Sequence, residues 1–145
     1  MIQRIQSIFL LLSGGSFFGL FAVPFATSEV AIPQLLADMV YNVQDSPILM
    51  VLCALGGVVS LVAIFLFNNR ELQIKLSYMA TIFAFLLPLV AFLLIYNERT
   101  FTTQADSIDD QFGLYMPFIS LIFSILAARF IRKDENTVKS MDRLR

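Results

Sequence analysis

Four long apolar runs, separated by short polar connections, dominate the pattern of hydrophobic and polar positions along the chain. The runs cover residues 5–25, 47–67, 74–96 and 112–130. A helix of about twenty residues, at about 1.5 Å per residue, matches a hydrocarbon layer of about 30 Å. Since lipid offers no partner to backbone N–H and C=O groups, all four runs are predicted to be transmembrane helices.

Positively charged residues predict how these helices are oriented. Nine of the ten Lys and Arg residues lie near the two chain ends or in the turn between the second and third runs, and the exception is Arg99. Because short cytoplasmic loops carry the excess of Lys and Arg, both termini are expected in the cytoplasm. The predicted fold class is therefore all-α: a polytopic membrane protein with a four-helix bundle over residues 1–130 and both termini in the cytoplasm.

Apolar residues also recur at helical spacing in the first outer connection, within residues 32–44. Polar residues there fall on the rest of the helical wheel, and Pro33 suits a first helical turn. This pattern predicts a short amphipathic helix that lies on the outer face of the membrane. It would cover the outer end of the bundle or form a docking surface for a partner.

Small side chains predict how the helices pack. Helix association in lipid depends on close backbone approach and on hydrogen bonds between helices. Each run has small residues at three- or four-residue steps, which places them on one helical face. The helix-packing residues predicted in this way include Gly15, Gly19, Gly56, Gly57, Ser60, Ser120 and Ser124. A compact four-helix bundle follows, and the same faces suit packing against another protein equally well.

Residues 131–145 form a charged cytoplasmic tail after the fourth run. Glu135 and Lys139 have the i,i+4 spacing that stabilises a helix, so the fourth helix is expected to continue into the cytoplasm. Three roles suit the tail: a solvated end that enforces orientation, attraction to anionic lipid, or contact with a partner protein. The residues expected to contact lipid or a partner are Arg132, Lys133, Lys139, Arg143 and Arg145.

The composition argues against several kinds of chemistry. Hydrophobic residues make up 58% of the chain, there is no His, and the one cysteine, Cys53, lies within an apolar run. A Cys/His metal site within one chain is therefore excluded, and no cofactor is expected. No Asp, Glu, Lys, Arg or His lies in the interior of a run, whereas proton relays and intramembrane general bases require such residues. The chain is predicted not to be an enzyme.

Three segments resemble those of a known family. The chain starts with MIQRIQ (residues 1–6), has the turn NRELQIKL (residues 69–76) and ends with KDExxVKSxDRLR (residues 133–145). These segments are similar to those of a family of uncharacterised membrane proteins found in Bacteroidota, a domain of unknown function. The resemblance covers the whole chain and implies an inner-membrane location with four helices. It implies no activity.

These observations lead to two hypotheses for the function. The first is a non-catalytic accessory or structural subunit of an inner-membrane protein complex, with protein export or insertion machinery as the first candidate assembly. Its partners would be membrane lipids and other integral membrane subunits. No nucleic acid is expected, and the sequence identifies no small-molecule substrate. The alternative is a small homo-oligomeric channel or carrier with a path lined by Ser and Thr.

Overall fold

The computed structural model describes residues 2–29, 38–97 and 108–142. Most of these residues belong to four α-helices: α1 (Ile2–Gly19), α2 (Pro47–Phe65), α3 (Arg70–Asn97) and α4 (Met116–Asp142). Three of them are long and apolar enough to cross a membrane, namely α2, α3 and α4 with the short helical turn before it. This finding indicates a membrane protein. The apolar part of α1, Ile5–Gly19, is shorter.

The four helices form an antiparallel ring in which α4 closes onto α1. α1 packs on α2 and α4, and α3 packs on the same two helices. The Gln6 side chain donates a hydrogen bond to the Phe130 carbonyl, and Ser13 meets Ser120 further along α1. Rising residue numbers in α1 thus meet falling numbers in α4, which is the geometry of an up-down bundle.

One end of the bundle is covered by a small β-sheet, which we call the lid. Its three strands are β1 (Ala26–Ser28), β2 (Val40–Tyr41) and β3 (Ile108–Asp110), with β1 in the centre and both pairings antiparallel. Two 3-10 turns, Val43–Asp45 and Phe112–Tyr115, lead from the strands towards α2 and α4. The fold is mostly helical, but the all-α prediction missed this sheet.

The amphipathic helix predicted over residues 32–44 is wrong for the part of that segment that the structure describes. Residues 38–45 contain β2 and a 3-10 turn, and residues 30–37 lie outside the described residues. The Tyr41 ring is fully buried, and its hydroxyl donates to the Ala91 carbonyl of α3 at 3.3 Å. Val43 is also buried, so these apolar residues point inward from a strand and a turn.

α1 ends at Gly19, well before Phe25, where the first span was predicted to end. The N–H groups of Leu20, Phe21 and Ala22 bond to carbonyls three residues back, which tightens and stops the helix. The Phe25 N–H donates to the Tyr41 carbonyl at 2.8 Å. The helix does not continue to Phe25 because the backbone N–H of that residue bonds to a strand of the lid.

α4 continues without a break across residue 131, where the sequence suggested a boundary between bundle and tail. The predicted ion pair between Lys139 and Glu135 is confirmed, at 2.7 Å. Arg70 at the start of α3 also reaches α4, where its guanidinium contacts the Asp134 carboxylate at 3.3 Å. The first part of the tail therefore packs beside α3 as an extension of the bundle.

Two apolar clusters fill the bundle on either side of a polar layer. The cluster near the lid is built around Phe17 and Leu87. The cluster at the opposite end contains Leu10 and Ile131. Between them, three fully buried serines lie on α1, α2 and α4; these are Ser13, Ser60 and Ser120.

Candidate functional site

The three buried serines, which we call the serine layer, hydrogen-bond with one another at the centre of the bundle. The Ser13 hydroxyl lies 3.0 Å from the Ser120 hydroxyl and 3.4 Å from the Ser60 hydroxyl. Ser120 also donates to the Ser13 carbonyl at 3.3 Å, and Ser60 donates to the Gly56 carbonyl at 2.9 Å. Ser13 thus joins α1 to two other helices.

A second hydroxyl pair connects α3 to α4. The Thr81 hydroxyl donates to the Ser124 hydroxyl at 3.0 Å, and both residues also bond back to carbonyls of their own helices. In the part of the chain that the structure describes, each recorded hydrogen bond of these hydroxyls and of the serine layer involves another hydroxyl or a backbone carbonyl. Such an arrangement holds helices together and supplies no base to activate a hydroxyl.

Gly56 and Gly57 on α2 lie against aromatic rings of α1. A Cβ atom built on Gly56 would be 2.5 Å from the Phe17 ring, and one on Gly57 would be 2.8 Å from the Phe18 ring. Real side chains do not approach so closely, so these positions require glycine for the observed helix contact. The structure thus places both predicted glycines at a helix interface.

Gly15 was predicted to pack between helices, and the structure contradicts this. Gly15 is exposed, and a Cβ atom there would meet no other atom within 4 Å. A Cβ atom built on Gly19 would make only an ordinary contact, 3.4 Å from the end of the Met116 side chain. The inward face of α1 instead carries small residues such as Ser13 and Gly14 together with the large Phe17 ring, and the α2 glycine Gly56 leaves space for that ring.

The end of the bundle opposite the lid has an open cleft of about 580 Å³ between α3 and α4, which we call the inner cleft. α3 contributes Tyr78, whose side chain is about half exposed. The rest of the lining comes from α4, at positions that share one helical face: Arg129, Arg132, Lys133, Asn136, Thr137 and Ser140. Three cations and several hydroxyl or amide groups therefore face one space.

The carboxylates near this cleft already have partners. Asp134 pairs with Arg70, Glu135 pairs with Lys139 at 2.7 Å, and Glu71 pairs with Lys75 at 2.9 Å. Among the described residues, no carboxylate lies within ion-pair distance of the three cations of the inner cleft. The cleft consequently carries uncompensated positive charge and can hold an anion through charge-assisted hydrogen bonds.

The tail residues predicted to contact lipid or a partner lie in different surroundings. Arg132 and Lys133 line the inner cleft, whereas Lys139 is engaged by Glu135. Arg143 and Arg145 lie outside the described residues. Arg129 and Tyr78 were not predicted from the sequence to belong to one site. The i, i+3, i+4 spacing of the three cations on α4 was the available signal, but the contribution of Tyr78 depends on how α3 packs.

No curated protein and no solved structure matches this chain. The model of the family described as Domain of unknown function (DUF4293) matches residues 2–144. This match covers nearly the whole sequence. The chain therefore belongs to the DUF4293 family.

Proposed function

We propose that this chain is a non-catalytic structural subunit of a bacterial inner-membrane complex, with four spans and both termini in the cytoplasm. The observation that carries the proposal is the serine layer. Hydroxyl groups that would line a path or attack a substrate are instead hydrogen-bonded to one another between helices of one chain. This favours a role in packing over the alternative of a homo-oligomeric channel lined by Ser and Thr.

The position of α1 beside the other helices supports a fourth span. α1 has 18 residues, and at 1.5 Å per residue it is about 27 Å long. Gln6 contacts the Phe130 carbonyl at the end away from the lid, and Ser13 is level with Ser120 in the middle. α1 and the turn that follows it thus extend over about the same depth as the apolar part of α4.

Charge distribution supports the orientation. The inner cleft and the turn between α2 and α3 are at the same end of the bundle, since Arg70 contacts Asp134. That end carries the Lys and Arg excess, and the lid end carries several acids, among them Asp45, Asp109 and Asp110. By the positive-inside rule, the cleft faces the cytoplasm and the lid faces outward.

Large apolar side chains cover the outward faces and would contact lipid or a neighbouring subunit. Exposed examples on three helices are Val58, Phe85 and Ile122, with 49%, 59% and 54% of their surface accessible. The small residues of α2, α3 and α4 are turned inward and are used within the chain. Lateral docking would therefore use these large side chains and not the glycine or serine stripes.

Photo-crosslinking in native membranes tests the proposal. We would place a photoreactive phenylalanine analogue at Val58, Phe85 or Ile122, with fully buried Leu87 on α3 as the matched control. The proposal predicts a discrete protein adduct from at least one outward position and none from Leu87, followed by co-purification in mild detergent. The crosslinked protein is compared first with the subunits of protein export and insertion machinery. A chain that gives lipid adducts alone and purifies alone, with or without its tail, would contradict the proposal.

A further inference from the structure

We propose that the inner cleft binds the phosphate group of an anionic phospholipid of the cytoplasmic leaflet. This inference concerns a lipid ligand of the chain itself and does not require a partner subunit. It depends on the composition of the cleft, on its depth relative to the apolar part of the helices, and on how its two walls are fixed.

The composition of the cleft suits a phosphate group. Arg129, Arg132 and Lys133 supply guanidinium and ammonium donors, and no carboxylate among the described residues neutralises them. The Tyr78 hydroxyl and the Asn136 amide add neutral donors from the two sides of the cleft. Arg and Lys donors around a phosphate oxygen form short charge-assisted hydrogen bonds, which are about twice as strong as neutral ones.

The depth of the cleft favours a lipid over a soluble phosphate. Arg129 directly follows the apolar part of α4, and Ile122, seven residues earlier on the same helical face, is 54% exposed. On α3, Ile82 and Phe85 follow Tyr78 at helical spacing and are also exposed. A phosphate in the cleft thus has apolar surface beside it on the membrane side, where acyl chains would lie. Basic pockets between helices at the cytoplasmic surface are typical sites for anionic lipid head groups.

The two walls of the cleft are held together by contacts on both sides of Tyr78. Towards the cytoplasm, the Arg70 guanidinium contacts the Asp134 carboxylate and donates to the Asp134 carbonyl at 3.4 Å. Towards the membrane centre, Thr81 donates to Ser124. α3 and α4 are therefore fixed relative to each other before a lipid binds, which reduces the ordering cost of binding.

Native mass spectrometry of the full chain, purified in mild detergent, tests the site. The chain would be titrated with phosphatidylglycerol or with zwitterionic phosphatidylcholine. The pocket variant is Arg129→Gln with Arg132→Gln. The matched control is Lys75→Gln with Lys139→Gln, which removes the same charge from exposed positions at the same end of the bundle.

We expect the wild-type chain to bind phosphatidylglycerol more tightly than phosphatidylcholine. Each basic residue near an anionic lipid contributes about a fivefold change in affinity, so the pocket variant should raise the apparent Kd for phosphatidylglycerol about 25-fold. The control variant should change it by less than about threefold, because its lysines are already paired and lie outside the cleft. Equal weakening by the two variants, or no preference for phosphatidylglycerol in the wild type, would overturn the proposal.

Two further arms keep the test decisive. In the first arm, inorganic phosphate and soluble glycerophosphoglycerol are titrated in place of lipid. If either binds as tightly as phosphatidylglycerol does, the cleft is a site for a soluble phosphate and the lipid proposal is overturned. Circular dichroism checks that each variant is folded. If the double variant does not fold, Lys133→Gln is tested in its place. We expect it to raise the apparent Kd for phosphatidylglycerol about fivefold, and an unchanged Kd would contradict the proposal.

Discussion

Individual side chains decide where the helices can approach each other. Gly56 leaves space for the fully buried Phe17 ring, while Gly15, on the same helix as Phe17, faces open space. Ser13 makes hydrogen bonds across to Ser120 and Ser60. Within the described residues, Ser16 instead bonds to the Leu12 carbonyl of its own helix, at 2.8 Å. At this scale, a residue type alone does not reveal its role, because its neighbours on the other helix determine it.

Replacing Gly56 with Ala should destabilise the protein. The added methyl group would overlap the buried Phe17 ring, and overpacking of this kind typically costs about 1–3 kcal/mol. Unfolding in increasing dodecyl sulfate, followed by circular dichroism, measures the free energy change. Gly15→Ala is the control, and it should be neutral or slightly stabilising because Ala favours helix and meets no neighbour there. Equal effects of the two substitutions would show that Gly56 is not at a tight interface.

The serine layer gives a second prediction at the same scale. Ser13→Ala removes the hydroxyl that links α1 to α2 and α4, and hydrogen bonds between helices in lipid are worth about 0.6 kcal/mol each on average. We therefore expect a loss of about 1–2 kcal/mol in the same unfolding assay. Ser16→Ala should cost less than about 0.5 kcal/mol, since its bond lies within one helix turn. An unchanged stability of Ser13→Ala would remove the serine layer as a source of helix association.

At the scale of elements, the lid and the helix ends depend on each other. The Gly113 N–H donates to the Pro24 carbonyl at 3.1 Å, and the Gln111 N–H donates to the Phe25 carbonyl at 3.0 Å. Tyr41 connects the sheet to α3 through the Ala91 carbonyl. The strands have only two or three residues each, so they are stable because the helices hold them together.

Gly113→Ala should loosen the lid while leaving the bundle intact. A Cβ atom at position 113 would overlap the Pro24 carbonyl, which is backbone and cannot move aside as a flexible side chain would. Amide hydrogen exchange is the measurement: we expect faster exchange at Phe25 and Gln111 and unchanged exchange within α2. Uniformly faster exchange would mean that the lid is not a separate element, and no change would mean that Gly113 has more space than the structure indicates.

For the molecule as a whole, the sequence predicted the long elements better than their contacts. α2 and α3 lie close to the predicted runs because a span needs about twenty apolar residues, and this length is visible in the sequence. The lid was missed because its strands are too short to show a period and pair segments such as 26–28 and 108–110, which are far apart in the chain.

The inner cleft was missed, and Gly15 was wrongly assigned to a helix interface, for a similar reason. Helical periodicity shows which residues share a face, but it does not show which face is turned inward. The cations of the cleft were visible in the sequence. The ion pair between Arg70 and Asp134, which keeps that carboxylate from neutralising them, depends on how α3 packs on α4. Both features depend on contacts between elements, so only the folded arrangement could reveal them.

The orientation of α1 is the central claim, because the lipid site and the docking faces both depend on a four-span bundle with the cleft inside. Single-cysteine accessibility tests it directly, in a Cys53→Ala background that leaves no other thiol. Cysteines are introduced at Gln3, at Asn68 in the turn between α2 and α3, and at Asp109 in the lid. The account predicts that a membrane-impermeant maleimide labels position 109 in intact spheroplasts and labels positions 3 and 68 only after permeabilisation. Labelling of position 3 from outside together with position 109 would show that α1 does not span and would contradict the account.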